Sequence, residues 1–206
     1  MRDAPGLLLG AAKRLEHIDV PLSRATYLNA LGAAVTSSDP VRASLDEVAK
    51  AAKMAPAPPG ADDRDLLLDG LALVTTDGMT VAAPVLRRAL EALGAGTLPT
   101  SIARWPHRLR STAASLLWDY DGLHRWAERL VEALRAEGAL AILPSDLSAL
   151  AGAKIYGGDL SAVASLIAEA HAVIEASGTT FAPYAAAQLA GVESRGVAHS
   201  ASHRGS

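Results

Sequence analysis

Apolar side chains recur along this chain with the period of an α-helix. Between residues 121 and 137, Leu123, Trp126, Ala127, Leu130, Val131 and Leu134 follow an i, i+3, i+4, i+7, i+8, i+11 series, while His124, Arg125, Glu128, Arg129 and Glu132 fall on the opposite face. Residues 79–93 repeat the pattern with Ala82, Val85, Leu86, Ala89, Leu90 and Leu93, and residues 159–176 do so with Leu160, Val163, Ile167, Ala170 and Ile174. Turn-forming residues separate these stretches: Asp19-Val20-Pro21, Ser38-Asp39-Pro40, the Pro-rich run from Ala55 to Asp63, Asp77-Gly78, residues 94–99, Asp121-Gly122, Gly157-Gly158-Asp159 and Ser177-Gly178. The alternation predicts helices near 4–17, 21–36, 40–54, 62–76, 79–94, 101–118, 121–137, 140–156 and 159–177, a stub from 181, and no strand.

Composition agrees with an all-α chain. Half of the 206 residues are apolar, enough for a sizeable core, yet only 4% are aromatic and Phe occurs once. Ala and Leu favour close helix–helix packing over strands built from β-branched and aromatic residues. The formal net charge of −3 gives no bulk attraction to a nucleic acid or an anionic membrane. The absence of Cys excludes disulfides, thiolate zinc sites and a cysteine nucleophile, and fits a reducing, cytoplasmic setting. The N-terminal stretch reads as an amphipathic helix, not a signal peptide, and the uncharged run Ala176–Val192 is too short and polar to span a bilayer.

The helical stretches resemble one another. Residues 78–94 superpose on 122–138, matching Gly78 with Gly122, Leu86 with Leu130, Ala89 with Ala133, Leu90 with Leu134 and Gly94 with Gly138. A third unit aligns Gly158 with Gly122, Ala162 with Trp126 and Leu166 with Leu130, so the units lie 44 and 36 residues apart, a spacing typical of helix–turn–helix repeats. In the best unit Gly70 is followed by Ala82 twelve residues on and Ala89 seven further, small residues where paired helices approach, with Leu73 and Leu86 beside them.

On these residues the chain resembles the tetratricopeptide-like helical repeats. The phrases at 65–93 and 117–140 and the segment Leu147–Pro183 look like the repeat region of large ATP-binding regulators of the LuxR type, the likeness covering roughly residues 3–190. It implies a right-handed α-solenoid of four to five helix pairs over 1–190. It also implies a role in transcription regulation, in which the repeats sense a protein partner or small-molecule effector for attached domains. Those domains, a nucleotide-binding switch and a DNA-binding helix-turn-helix, have no matching motif here: no G-x-x-x-x-G-K-[ST] loop and no Gly-Lys dipeptide occur. The expectation is therefore a fragment or truncated product with no cofactor and no direct contact with nucleic acid or membrane. Residues 191–206 lack helical periodicity and read as a disordered tail, and the C-terminal helices as a self-association surface.

Side chains that could carry chemistry concentrate in residues 104–128, where all three tryptophans lie. Arg104, Trp105, Arg108, Trp118, His124 and Trp126 would suit an anionic or planar ligand through stacking and charge-assisted hydrogen bonds. The favoured reading of the same tryptophans is that they fill a wide groove between helices, with the charges as a solvated face. A small serine hydrolase can be drawn with Ser111 or Ser115 as nucleophile, His107 as base and Asp119 as orienter. Against it, no G-x-S-x-G elbow occurs, and a mid-helix serine usually bonds its own backbone. His124 and Glu128 have metal-ligand spacing without H-E-x-x-H or a third ligand, so no metal is expected. Asp62, Asp63 and Asp65 lack the glycine and terminal glutamate of a calcium loop and read as caps ahead of Leu66.

Overall fold

Turn residues and capping side chains divide the chain much as the apolar period predicts. The computed structural model describes residues 4–36, 42–60, 62–95 and 104–178, the side chains of 36, 42–44, 95 and 104–108 excepted. Nine helices and no strand occur among the described residues: α1 Ala4–Leu15, α2 Val20–Thr36, α3 Arg42–Met54, α4 Asp63–Thr76, α5 Met79–Ala95, α6 Arg104–Leu116, α7 Tyr120–Glu137, α8 Leu143–Tyr156 and α9 Leu160–Ser177. The expected stub from 181 and the tail 191–206 lie outside the described residues. The helices fall into two compact units, Met1–Asp119 with α1–α6 and Tyr120–Ser206 with α7–α9.

Two of the boundaries that differ from the periodic reading have a clear backbone reason. After α7, Gly138 takes a left-handed φ of 65°, and Ala139 N–H reaches back to the Leu134 carbonyl. The chain therefore turns before α8 restarts at Leu143, with a proline in its first turn. At the end of α6, Trp118 adopts a φ of 58° and Asp119 N–H bonds the Ala114 carbonyl, so the helix stops at Leu116 and not at 118. Gly158, with φ 77°, makes the same closure after α8, Asp159 N–H bonding the Lys154 carbonyl. A Cβ in this conformation costs about 1–2 kcal/mol.

In the first unit α2 is central, packing against α1, α3, α4 and α6. Its Tyr27, Leu28, Ala30 and Leu31 are buried. Ser23 donates its hydroxyl to the Ala12 carbonyl at 2.8 Å, joining α2 to α1, and the buried Tyr27 hydroxyl donates to Glu16. α4 opens on a capping box: Asp62 accepts from the Arg64 and Asp65 amides at 2.9 Å, and Asp65 accepts from the Asp62 amide at 3.1 Å. α3 is tied to the end of α4 by Lys53 Nζ, 2.7 and 2.8 Å from the two carboxylate oxygens of Asp77. α4 and α5 come closest at Gly70, where an added Cβ would lie 2.5 Å from Leu86 Cδ2. Ala82 and Ala89 of α5 are fully buried, as the small-residue spacing predicts. The contact between α2 and α6 joins elements well separated in the chain.

In the second unit α8 packs against both α7 and α9. α7 buries Gly122, Leu123, Trp126, Ala127, Leu130, Val131 and Leu134, the stripe read from the sequence. Asp159 caps α9 by accepting from the Ala162 amide at 3.1 Å, and Gly178, with φ 66°, ends it. By length and composition α9 is apolar enough to cross a membrane, the single such helix among the described residues. The uncharged run Ala176–Val192 starts too late to reveal it. Here Val163, Leu166 and Ala170 of α9 are buried, and Arg135 of α7 pairs with its Glu169 through two hydrogen bonds of 2.9 and 2.5 Å.

Candidate functional site

The residues expected to form a site are shared between the two units, so each group is taken within its own unit. α6 carries Arg104, Trp105, His107 and Arg108 on its first turns; their backbone is helical and their side chains are outside the described set. Further along, Leu109, Ala113 and Ala114 are buried and fix the inward face of α6. Arg110 is buried too, its Nη2 3.6 Å from where a Cβ on Gly94 of α5 would sit. This places the guanidinium beside the end of α5, which the linear pattern of charges conceals.

Of the serine constellation, Ser115 is exposed and donates its hydroxyl to the Ser111 carbonyl at 3.0 Å, the local bond expected of a mid-helix serine. Ser111 is half-buried one turn earlier and Asp119 is exposed beyond the helix end. Trp118 is 76% exposed. Trp126, on α7, is 4% exposed, with the Arg129 guanidinium carbon 6.0 Å from its ring centroid. The two tryptophans thus have opposite environments: one fills the core of its unit, the other stands in solvent.

His124 and Glu128 do share a face of α7, with Nε2 3.0 Å from Oε1, and a cation from α8 joins them. Lys154 Nζ lies 2.9 Å from the same Glu128 oxygen and 3.2 Å from His124 Nε2. The hydrogen bond from the Lys154 ammonium holds the Glu128 carboxyl below the ordinary carboxylate range against the opposing effect of burial, and the His124 ring adds a lesser push in the same direction. No group of three side chains able to hold a metal ion occurs among the described residues. One turn from His124, Tyr120 stacks on Tyr156 of α8 with centroids 4.9 Å apart.

A deeply buried ionic cluster lies elsewhere, in the first unit. Arg24 of α2 is 4% exposed and donates Nε to Asp65, and Nη2 both to the Asp65 carbonyl at 3.2 Å and to Asp69 at 2.6 Å. Burial disfavours the charged guanidinium, but its bonds to Asp69 and Asp65 outweigh that and raise its pKa. Asp65 serves twice, in the α4 capping box and as partner of Arg24. The signal was present in the sequence: Arg24 stands at i−3, i−4 and i−7 from Tyr27, Leu28 and Leu31, an arginine on an apolar stripe. Nearby, burial pushes the Tyr27 hydroxyl well above the ordinary phenol range, and its bond to the Glu16 carboxylate adds to the shift. Both clusters tie α2 to the elements packed around it.

Set beside known proteins, the chain finds no counterpart: no protein-family model, no curated protein and no solved structure matches it.

Proposed function

We propose that this chain is a binding module, the tetratricopeptide-like repeat portion of a LuxR-type regulator, and that it recognises a protein partner or small effector. The observation that carries the reading is the packing of consecutive helices through small residues, above all Gly70 of α4 against Leu86 of α5 with Ala82 and Ala89 buried beside it. The right-handed solenoid belongs to this proposal. So does recognition through residues 104–128, where Trp118 is the described aromatic open to a partner. The Ser115 bond to its own helix favours binding over hydrolysis.

Self-association through α8 and α9 is part of the same reading, supported by the exposure of Leu160, Ala164, Ala168, Ala172 and Ala176 along α9. The decisive test is the coding sequence on either side of this chain. A phosphate-loop module encoded upstream and a helix-turn-helix downstream, in one frame, are the expected result. In-frame stop codons on both sides would overturn the LuxR assignment. Light scattering that returns a dimer supports the self-association surface, and a monomer at high concentration rejects it.

A further inference from the structure

One ring nitrogen at the contact of α7 with α8 has two partners that make opposite demands on it. His124 Nε2 lies 3.0 Å from Glu128 Oε1, a carboxylate oxygen that accepts, and 3.2 Å from Lys154 Nζ, an ammonium that donates. A single imidazole nitrogen either carries a proton and donates or offers its lone pair and accepts. Lys154 Nζ is itself 2.9 Å from the same Glu128 oxygen, so the three atoms close a triangle. With the ring neutral and its proton on Nδ1, Nε2 accepts from Lys154, and the ammonium bridges ring and carboxylate. With the ring protonated, Nε2 donates to Glu128 and faces the ammonium as a second cation. The triangle therefore has two arrangements, and the proton count of the ring selects between them.

An imidazole is the side chain whose ordinary charge change falls between pH 5 and 8. The Glu128 carboxyl, held below its usual range above all by the Lys154 bond, stays ionised across that interval. On α7 the groups one turn from His124 are Tyr120, Asp121 and Glu128, with Arg125 exposed at the next position. From α8 come Lys154 and Tyr156. α9, packed against α8, brings Asp159 at its cap, engaged with the Ala162 amide, and has no charged residue from Leu160 to Ala168.

The helices feel the change through Lys154. It stands in the last turn of α8, and its carbonyl accepts from the Gly157 and Asp159 amides that close that turn. Two residues on, the exposed Tyr156 stacks on Tyr120 of α7. Displacing the ammonium removes a polar tie between α7 and α8 where the chain turns towards α9.

We infer that His124, Glu128 and Lys154 form a proton-operated latch between α7 and α8, closed while the ring is neutral and opened at the last turn of α8 when His124 takes up a proton. The latch goes beyond the reading of the chain as a binding module and does not depend on it.

The test is an NMR titration of the full chain from pH 8 to pH 5, with histidine ring nitrogens and lysine side chains labelled and His124 assigned by its loss in His124→Gln. At pH 8 the His124 ring is expected to carry its proton on Nδ1, and the Lys154 Cε resonance should shift with the same midpoint as the ring. Amide exchange of residues 153–156, corrected for its intrinsic pH dependence, should become several-fold faster at pH 5 than at pH 8. In His124→Gln, whose amide accepts from Lys154 and donates to Glu128 through separate atoms, both responses should vanish. In Lys154→Met, where Nε2 keeps only an acceptor beside it, the neutral ring should move its proton to Nε2. A proton on Nε2 in the unsubstituted chain at pH 8 overturns the latch. So does a Lys154 resonance that ignores the His124 titration, or one that shifts equally in His124→Gln. Exchange of residues 153–156 that is unchanged between pH 8 and pH 5 would overturn the opening of α8.

Discussion

Replacing Gly70 by alanine tests the close approach of α4 and α5. The new Cβ would lie 2.5 Å from Leu86 Cδ2, 2.9 Å from Leu86 Cγ and 3.3 Å from the Leu86 backbone nitrogen. Leu86 is fully buried, so its side chain has no solvent to swing into, and the backbone contact requires α4 and α5 to part slightly. Overpacking of this kind costs about 1–3 kcal/mol, and removing a glycine from a helix interior returns up to about 1 kcal/mol. The contact is shorter than real Cβ atoms tolerate, so the upper part of the overpacking range applies and the net effect is a loss of about 1–2 kcal/mol. Gly10 of α1 is the internal control, because a Cβ there meets nothing within 4 Å. Gly10→Ala should therefore gain about 0.5–1 kcal/mol from propensity alone. Urea unfolding of the full-length variants, read by far-ultraviolet circular dichroism and by amide exchange in α4 and α5, should move in opposite directions for the two. The midpoint for Gly70→Ala should fall by roughly 0.5–1 M. In a Leu86→Ala background the same Gly70→Ala change should become neutral or stabilising, because the methyl then refills vacated space, a coupling of about 1–3 kcal/mol. Strict additivity, or a Gly70→Ala protein as stable as Gly10→Ala, would refute the α4–α5 approach.

Three further outcomes follow from the same packing. Trp118→Gly should raise stability by about 1 kcal/mol by relieving the left-handed backbone, measured by thermal melting; a loss of the size of a core truncation would show instead that the indole is packed. Arg24→Met should cost about 3 kcal/mol in denaturant melts, because Asp65 is left buried with an uncompensated charge while Asp69 keeps access to water; a neutral result would mean that the pair is not buried. Tyr27 has a folded pKa above its unfolded value of 10.0, so its contribution is fully present below pH 10 and lost as pH rises beyond it. Alkaline melts should therefore destabilise the native chain more steeply than Tyr27→Phe, with phenolate absorbance of one tyrosine appearing only on unfolding; parallel pH curves would refute the burial of that hydroxyl.

The sequence by itself determined the fold class and the order of the helices. An apolar stripe at 3.6-residue spacing, broken by Gly, Pro and Asp, is local information, and a helix is a local structure whose hydrogen bonds close within the segment. The buried stripe of α7, the caps at Asp62 and Asp65 and the small residues at Gly70, Ala82 and Ala89 were legible for that reason. Which helices meet beyond their neighbours was not. The contact of α2 with α6, the joining of Arg24 to Asp65 across 41 residues and the addition of Lys154 to the His124–Glu128 pair depend on how amphipathic helices share their faces, and one helix's period does not encode its partner. The tertiary structure also separated residues that the sequence treated alike. Trp126 and Trp118 are the same residue type eight positions apart, yet one lies buried on the inward stripe of α7 and the other exposed in a left-handed turn, because the backbone at each position sets which way its side chain leaves the helix.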